Sequence, residues 1–148
     1  MQLSKKSRYG LRALIYLAGS SRGRYVSLGS IARAGEIPPQ FLEQVFASLR
    51  RAGLVKGLKG PQGGYKLNLE PKDITVDSVL NVLEGSYLIG DEEASADSRC
   101  YAMSMAIQER LIDPVNENLE KMLGKLTLAD LLEAYEENLA QGQGMYYI

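Results

Sequence analysis

A glycine-rich hairpin pattern placed directly after a helical pattern limits the fold of this chain more than any other feature. The stretch LVKGLKGPQGGYKL, residues 54–67, surrounds the turn GPQGG with two short runs that mix aliphatic residues and lysines. Residues 54–58 and 65–67 predict two strands, and residues 59–64 predict the loop that connects them. Glycines let this loop approach another molecule closely, and Pro61 stiffens it. The pattern is typical of a wing, although its residues alone also fit a plain surface hairpin.

Three helical patterns precede the hairpin. Ser4 and Ser27 are candidate N-caps of the first two helices, and Gly35 ends the second. The third begins at Pro39, where a missing backbone N–H is tolerated, and stops at Gly53. The residues predicted to point inward are Leu11, Leu14, Ile15 and Ala18 in the first helix, Leu28, Ile31 and Ala32 in the second, and Phe41, Leu42, Val45, Phe46 and Leu49 in the third.

The short turn at residues 35–38 joins the second and third helices, which predicts a helix-turn-helix whose third helix is the recognition helix. A hairpin that follows such a unit is the wing of a winged helix-turn-helix. The lysines of the hairpin, Lys56, Lys59 and Lys66, would supply positive charge for phosphate oxygens. We therefore expect a mainly α chain with a small β-hairpin.

Charge is divided unevenly along the chain, although the net charge is only −1. Residues 1–66 hold twelve Lys or Arg and two acids, a net charge of +10. Residues 67–148 hold five Lys or Arg and sixteen acids, a net charge of −11. Such segregation is typical of proteins whose basic part binds nucleic acid. A solubility pattern without a partner is the alternative.

Past the hairpin the pattern predicts a helix and then an acidic loop. Thr75 caps this helix, and Gly85 ends it. Its predicted inward residues are Val76, Val79, Leu80 and Leu83. The acidic loop (residues 86–99) includes GDEEASADSR at residues 90–99, whose small and charged residues predict mobility.

A long amphipathic pattern spans residues 101–125, where Asp113-Pro114 marks either the start of a new helix or a kink in one long helix. Its apolar stripe consists of Met103, Ile107, Leu111, Val115, Leu119, Met122, Leu123 and Leu126. A long helix outside a small winged-helix core usually packs against a second copy. This predicts a dimerisation helix and a homodimer that reads half-sites about one DNA turn apart. Packing of the helix within one chain is the alternative.

The last helix is predicted from residue 128 to about 140, with Thr127 and Asp130 as a capping box. The tail QGQGMYYI, residues 141–148, is expected to be loose or docked on a neighbour. We therefore divide the chain into a winged helix-turn-helix domain at residues 1–85 with its wing at 54–67, the acidic loop at 86–99, and the dimerisation helices with the tail at 100–148.

Enzyme chemistry and membrane insertion are both disfavoured by what the sequence lacks. The chain has no histidine for a proton relay, no GxSxG motif, and no phosphate-binding glycine loop followed by GK[ST]. It contains no apolar run long enough to span a membrane, and its start MQLSKKSRYG lacks the apolar core of a signal peptide. One cysteine excludes an internal disulfide framework, so we expect a cytoplasmic protein.

Four stretches together resemble one family of bacterial regulators: LSKKSRYGLRAL, FLEQVFASLRRAGLV, KGPQGGYKL and ITVDSVLNVLEG. The combination of LEQ, LRxxGLV and a GxxGGY wing is specific. On these motifs the chain is similar to the Rrf-two family of winged helix-turn-helix regulators, which includes IscR, NsrR and CymR. The resemblance covers residues 1–85 closely and 100–135 loosely. The closing MYYI and the shortage of cysteine look most like the CymR-type regulators of cysteine metabolism.

The resemblance implies a dimeric cytoplasmic transcription factor, in most cases a repressor. It makes Glu43 a base-reading carboxylate that accepts a hydrogen bond from cytosine N4, with a solvated helix residue as the alternative. Lys59 falls where relatives carry an arginine that enters the minor groove, and lysine lacks that planar fork. The residues expected to contact DNA are Lys5, Lys6, Arg8, Ser27, Pro39, Gln40, Glu43, Gln44, Arg50, Arg51, Lys56, Lys59, Gly60, Gln62 and Gly63. For Lys5, Lys6, Arg8, Arg50 and Arg51, a solvated surface charge is the alternative.

Sensing members of this family hold an iron–sulfur cluster through three cysteines spaced about six residues apart. Here Cys100 stands at the middle position, and Ala94 and Ala106 stand on either side. Alanine cannot ligate iron, so we expect no cofactor and no metal. Cys100 is a candidate redox sensor through sulfenylation or pairing between subunits, with an inert thiol as the alternative.

Two functions fit these patterns. The first is a dimeric, sequence-specific DNA-binding repressor linked to cysteine or sulfur metabolism or to redox state. The second is a winged-helix protein-interaction module with weak DNA binding of its own. The basic first half favours the first. CymR-like proteins act together with a cysteine-synthesis enzyme, so the acidic second half is also a candidate surface for such a partner.

Overall fold

The computed structural model describes residues 1–20 and 23–146 and shows a mainly helical chain with one small hairpin, which confirms the predicted fold class. Its regular elements are α1 (Lys5–Ser20), α2 (Leu28–Gly35), α3 (Pro39–Arg51), β1 (Val55–Leu58), β2 (Gly64–Leu67), α4 (Val76–Glu84), α5 (Tyr101–Ile107), α6 (Asp113–Lys125) and α7 (Leu128–Tyr146). A 3-10 turn (Pro71–Asp73) precedes α4, and a π-helical turn (Gln108–Ile112) joins α5 to α6. Within this described part, no helix is both long and apolar enough to cross a membrane.

Helix α1 packs against α2, α3, α4 and α7 and is therefore buried over a wide arc. Its fully buried apolar side chains are Ala13, Leu14 and Leu17, whereas Leu11, Ile15 and Ala18 are half-buried at the edges. The predicted buried face was therefore rotated slightly from the observed one. Gly10 explains part of the difference, because a Cβ there would lie 2.3 Å from Leu83 Cδ1 of α4. Because glycine has no side chain, a prediction from the spacing of apolar side chains does not mark Gly10 as part of the buried face.

The helix-turn-helix forms as predicted. Ser27 caps α2, with its Oγ accepting a hydrogen bond from the Ser30 N–H at 3.2 Å. Gly35 is the last residue of the helix, and the left-handed position falls on Glu36, whose φ is 52°. The Ile37 N–H then donates to the Ala32 carbonyl at 2.9 Å and closes the turn. This turn sets the direction in which α3 leaves α2.

Helix α3 begins at Pro39, and Gly53 lies just beyond its end with a φ of 80°. Its predicted inward stripe is confirmed, with Phe41 half-buried and Leu42, Val45, Phe46 and Leu49 fully buried. The Phe46 ring stacks on the Tyr65 ring of β2 with the centroids 4.5 Å apart. This contact fixes the hairpin against the back of α3.

The hairpin is a two-stranded antiparallel sheet in which Leu58 pairs with Gly64. Val26 pairs with β2 as an isolated antiparallel bridge. Its N–H donates to the Tyr65 carbonyl, and its carbonyl accepts from the Tyr65 N–H, both at 2.8 Å. A Cβ on Gly64 would lie 2.0 Å from the Val26 carbonyl oxygen, and its φ is 148°. The glycine at this position is therefore required by the backbone that precedes α2.

A second apolar cluster forms where α4 meets α6. Thr75 caps α4 through a 3.1 Å hydrogen bond from the Ser78 N–H to its Oγ1, and Gly85 follows the helix with a φ of 80°. The cluster contains the buried residues Val76, Leu80, Tyr87 and Leu123, with Leu3, Leu11, Leu88, Leu119, Leu126 and Leu131 packed against them. The start of the chain therefore packs against helices of its second half.

At Asp113-Pro114 the alternative of one long helix is right, and that of a newly capped helix is wrong. Ile112 and Asp113 both have helical backbone angles, and the Asp113 N–H donates to the Gln108 carbonyl in the π-helical turn. Pro114 cannot donate the N–H of a regular α-helix, and the wider turn just before it accommodates that loss. Of the predicted stripe, Leu123 is buried, Val115, Leu119 and Leu126 are half-buried, and Met103, Ile107, Leu111 and Met122 are exposed.

The acidic loop has no helix or strand, yet hydrogen bonds join it to the long helix. Asn116 of α6 accepts from the Ile89 N–H and donates to the Ile89 carbonyl, both at 2.9 Å. Gln108 accepts from the Glu92 N–H and donates to the Asp91 carboxylate, both at 2.8 Å. Two of these hydrogen bonds connect the loop directly to Gln108 in the π-helical turn. The mobility of the loop stays a prediction.

The predicted capping box of α7 is confirmed. The Thr127 N–H donates to Asp130 Oδ2 at 2.9 Å, and the Asp130 N–H donates to Thr127 Oγ1 at 3.2 Å. The helix continues to Tyr146, past the predicted end at about Ala140, because single glycines weaken a helix by about 1 kcal/mol without ending it. The last residues of the predicted tail, 147–148, lie outside the described residues. Helix α7 packs on α1, and the three-part division of the chain stays a prediction.

Candidate nucleic-acid interface

Three polar side chains line the exposed side of the first two turns of α3. Gln40, Glu43 and Gln44 are all exposed, and their spacing places them on one helix face, opposite the buried stripe. The helix starts at the exposed Pro39 without a side-chain cap. A carboxylate can accept from cytosine N4, and a glutamine amide can pair with adenine N6 and N7. This surface, the reading face (Gln40, Glu43 and Gln44), therefore carries the groups that base edges require.

Two arginines extend this surface at the other end of α3. Arg50 and Arg51 are exposed in the last turn. Arg51 Nη2 donates to Ser48 Oγ at 3.4 Å, and Ser48 Oγ donates to the Gln44 carbonyl at 3.3 Å. Arg50 runs beside the wing, because its Cδ lies 3.6 Å from where a Cβ on Gly57 would be. Guanidinium groups here can bind phosphate oxygens while the start of the helix faces bases.

The start of α1 lies next to the start of α3. The Tyr9 ring packs edge-on against the Phe41 ring with the centroids 5.2 Å apart. The basic side chains at this helix start are Lys5 and Arg8, which are exposed, and Lys6, which is half-buried. The structure therefore brings these predicted phosphate-binding residues beside the reading face.

The wing tip exposes Lys59, Gly60 and Gln62. Gly60 has a φ of 105°, which side-chain-bearing residues rarely adopt. Gly63 has a different role, because its N–H donates to the Gly60 carbonyl at 3.0 Å and a Cβ on it would lie 2.0 Å from the Leu58 carbonyl oxygen. Gly63 thus closes the loop, and the exposed side chains at the tip are the ones free to reach DNA.

Lys56 lies on the opposite face of the wing from α3. It pairs directly with Lys66 across the strands, and the adjacent pair is Gly57 with Tyr65, whose ring stacks on α3. Successive side chains of a strand alternate between faces, so both lysines point away from α3. The Lys66 Nζ sits 4.7 Å from the centre of the Tyr25 ring. Lys56 is therefore not grouped with the reading face.

Ser27 is exposed at the start of α2, where helix N–H groups can bind a phosphate. Its Oγ accepts from the Ser30 N–H and donates to Ser30 Oγ at 2.8 Å. The Ser27 hydroxyl is thus already engaged in capping α2. A DNA phosphate at this place would instead bind the free backbone N–H groups at the start of α2.

A carboxylate from α4 holds the start of α1, and no sequence pattern pointed to it. Glu84 Oε1 accepts hydrogen bonds from the Ser4 N–H at 2.9 Å, from Ser4 Oγ at 2.5 Å, and from Ser7 Oγ. The hydrogen bonds from Ser4 and Ser7 keep the pKa of Glu84 below its ordinary value. We call these three residues the Glu84 clasp. Its partners lie about 80 positions apart, which local spacing cannot reveal.

Cys100 is exposed just before α5 and lines an open cavity of about 350 Å³ together with Glu92, Glu93 and Ser104. Among the residues that the structure describes, no three His, Cys, Asp or Glu side chains are grouped to hold a metal ion. A chain with one cysteine and no histidine does not supply the thiolates of an iron–sulfur cluster, so this place does not fit that cofactor.

Comparison with known proteins gives this geometry a context. The family profile described as Rrf2, iron-dependent transcriptional regulator, matches residues 3–134. The HTH-type transcriptional regulator CymR of Bacillus subtilis is 37% identical over 123 residues, which cover 80% of this chain and 89% of that protein. The HTH-type transcriptional regulator IscR of Vibrio atlanticus is 32% identical over 136 residues, covering 92% of this chain and 78% of that protein.

A solved structure shares the fold along almost the whole chain. The structure of CymR, described as the global cysteine regulator of B. subtilis, has a TM-score of 0.75 and 35% identity and covers 90% of this chain and 98% of its own. The family match over residues 3–134 includes the helix-turn-helix, the wing and the long helix. The chain belongs to the Rrf2, or Rrf-two, family of DNA-binding winged-helix transcriptional regulators.

Proposed function

We propose that this chain is a homodimeric repressor that binds its operators in a sequence-specific manner. The observation that carries the proposal is the reading face, which stands exposed at the start of α3 beside the basic start of α1. Direct readout of bases requires donors and acceptors on a helix that can enter the major groove. A module that only docks another protein does not require them.

Phosphate contacts would come from the basic residues around the reading face. The start of α1, the end of α3 and the wing tip each present positive side chains, namely Lys5, Lys6, Arg8, Arg50, Arg51 and Lys59. Contacts of this kind fix the register of the protein on the duplex and carry no sequence information. In this arrangement Glu43 selects bases, because its negative charge cannot add to phosphate attraction.

The dimer would form through the long helix of α5 and α6. Tyr101, Met103, Ile107 and Leu111 are exposed along one part of it, with Ile107 43% and Leu111 55% accessible. Exposed apolar patches of this kind mark interaction sites. A second copy related by a two-fold axis would cover them and place two reading faces about one DNA turn apart.

The signal that controls DNA binding would differ from the one sensed by family members that hold an iron–sulfur cluster. The donor set around Cys100 does not fit an iron–sulfur cluster, so we propose regulation without one. The similarity to CymR, a regulator described as the global cysteine regulator of B. subtilis, supports a link to cysteine or sulfur metabolism. We propose the exposed Cys100 as the redox sensor. The acidic second half is the proposed surface for a cysteine-synthesis enzyme. The proposed location of the protein is the cytoplasm.

Selection of bound genomic fragments, followed by titration at several salt concentrations, tests the proposal. Each phosphate contact should contribute a slope of about −0.9 in log affinity against log salt, so several contacts per dimer give a steep dependence. We expect enrichment of a palindromic sequence. A flat salt dependence with no enriched sequence would instead favour a protein-interaction module.

A further inference from the structure

The Glu84 clasp connects the acidic half of the chain to the basic start of α1. We infer that Glu84 is a positioning residue for DNA binding, which holds the first turn of α1 where Lys5, Lys6 and Arg8 meet the phosphate backbone. The inference rests on the proposed function, because it assumes that this helix start contacts DNA. Glu84 itself would touch no nucleotide and would act through Ser4 and Ser7.

Close packing of two helices brings the carboxylate to this place. A Cβ on Gly10 would lie only 2.3 Å from Leu83 Cδ1 and 3.3 Å from Val45 Cγ1. The absence of a side chain at Gly10 therefore lets the last turn of α4 lie directly against α1. Glu84 is the next residue after Leu83, so the same approach sets its carboxylate below the first turn of α1.

The hydrogen bond from the Ser7 hydroxyl to Glu84 has no ready substitute in water. Ser7 is 0% exposed, so its hydroxyl depends on a partner inside the protein. Ser4 is half-buried and offers both its N–H and its hydroxyl to the same carboxylate oxygen. A negative charge at the start of a helix is also favoured by the helix dipole. Together these contacts fix both the position and the direction of the first turn of α1.

The residues just before α1 are held by the same half of the chain. Leu3 packs against the cluster that α4 and α6 build around Leu80 and Leu123. Arg8 Nε donates to the Leu3 carbonyl at 3.0 Å, so a basic side chain is tied to this anchored segment. A displacement of α4 or α6 would therefore move the basic start of α1 relative to the reading face.

Charge and position predict opposite effects when the carboxylate is removed. A carboxylate close to Lys6 weakens attraction to DNA, so its removal alone should strengthen binding. If Glu84 positions the helix start, its removal should weaken binding, because the basic side chains would no longer be held at the phosphates. The sign of the change therefore separates the two roles.

Two substitutions that remove the same charge form the test. Glu84→Ala removes the charge and the acceptor, whereas Glu84→Gln removes the charge and keeps an acceptor oxygen. We expect Glu84→Ala to bind operator DNA about 10-fold more weakly, with a salt slope shallower by about 0.9 for each phosphate that the variant no longer neutralises. Glu84→Gln should recover most of the affinity and of the slope. Glu137→Ala, which removes an exposed acid from α7, controls for net charge.

Equal or tighter binding by Glu84→Ala, with an unchanged slope, would overturn the inference. Circular dichroism and thermal unfolding show whether each variant is folded. If Glu84→Ala does not fold, Ser4→Ala replaces it in the test, because it keeps every charge and removes one hydrogen-bond donor of the clasp. Ser4→Ala should also make the salt slope shallower. An unchanged slope in Ser4→Ala would overturn the inference. Failure of the proposed function gives a different result: the wild-type protein itself would show no salt-dependent, sequence-selective DNA binding.

Discussion

Glu43 is the residue on which the proposed base selection depends. The first 66 residues contain only two acids, and the other one, Glu36, occupies the left-handed position after α2. Glu43 instead stands exposed between Gln40 and Gln44, where DNA phosphates would repel it. Such a charge lowers affinity for every sequence except those that offer a donor, and cytosine N4 is the donor in the major groove that suits it.

We expect Glu43→Ala to relax base preference at one position of each half-site. Discrimination there should fall by about 1–3 kcal/mol, because the hydrogen bond to cytosine is removed. Competition binding with single-base variants of the selected operator measures this. Glu70→Ala removes an exposed acid outside α3 and should leave the preference unchanged. Equal weakening toward all sequences would show that Glu43 does not read a base.

At the scale of elements, the wing is shaped by its glycines more than by its lysines. Gly63 and Gly64 each lie where a Cβ would come within 2.0 Å of a carbonyl oxygen, that of Leu58 and that of Val26 respectively. The shape of the wing is therefore set by its own turn and by the strand position before α2. A tip held in this shape would lose less conformational entropy on binding DNA, as the proposed function requires.

Gly63→Ala should destabilise the wing and weaken DNA binding. The added Cβ would press on the Leu58 carbonyl, and overpacking of this kind costs about 1–3 kcal/mol. Urea unfolding measures the decrease in free energy of unfolding. The control is Gly124→Ala in α6, where a Cβ meets nothing within 4 Å and should raise stability by up to about 1 kcal/mol. Wild-type stability in Gly63→Ala would mean that the loop closes in another way.

At the scale of the whole molecule, a basic reading half is joined to an acidic half that leaves an apolar stripe exposed. The acidic half buries Leu123 against α4 but leaves Ile107 and Leu111 in solvent. One long helix thus serves two contacts, an observed one within the chain and a proposed one with a second copy. Acid near the dimer axis would also keep nonspecific DNA away from that surface.

If the proposed dimer forms through the long helix, Ile107→Asp should convert it into a monomer, because a buried unpaired charge at an apolar interface is strongly unfavourable. Affinity for a palindromic operator should then fall by roughly 10²-fold or more, since the two half-sites are no longer bound together. Analytical ultracentrifugation gives the oligomeric state. Leu139→Asp, at another exposed apolar position on α7, should remain dimeric. A dimeric Ile107→Asp variant would place the interface elsewhere.

Local signals in the sequence were sufficient for most elements of the fold. Ser27, Thr75 and the pair Thr127 and Asp130 cap the helices that their positions predicted, because a cap involves residues only a few positions apart. The helix-turn-helix and the wing were predicted for the same reason. At Pro114 the residues left two alternatives, because proline fits both a helix start and a helix interior that can widen.

Contacts between distant residues had to come from the tertiary structure. The buried face of α1 is set by the four helices that pack against it. The wing requires glycine at positions 63 and 64 because the folded backbone places carbonyl oxygens where a Cβ would lie. The outward direction of Lys56 follows from strand pairing with Lys66. The Glu84 clasp joins residues about 80 positions apart. Sequence spacing encodes neighbours along the chain, whereas these features arise only when helices and strands pack together.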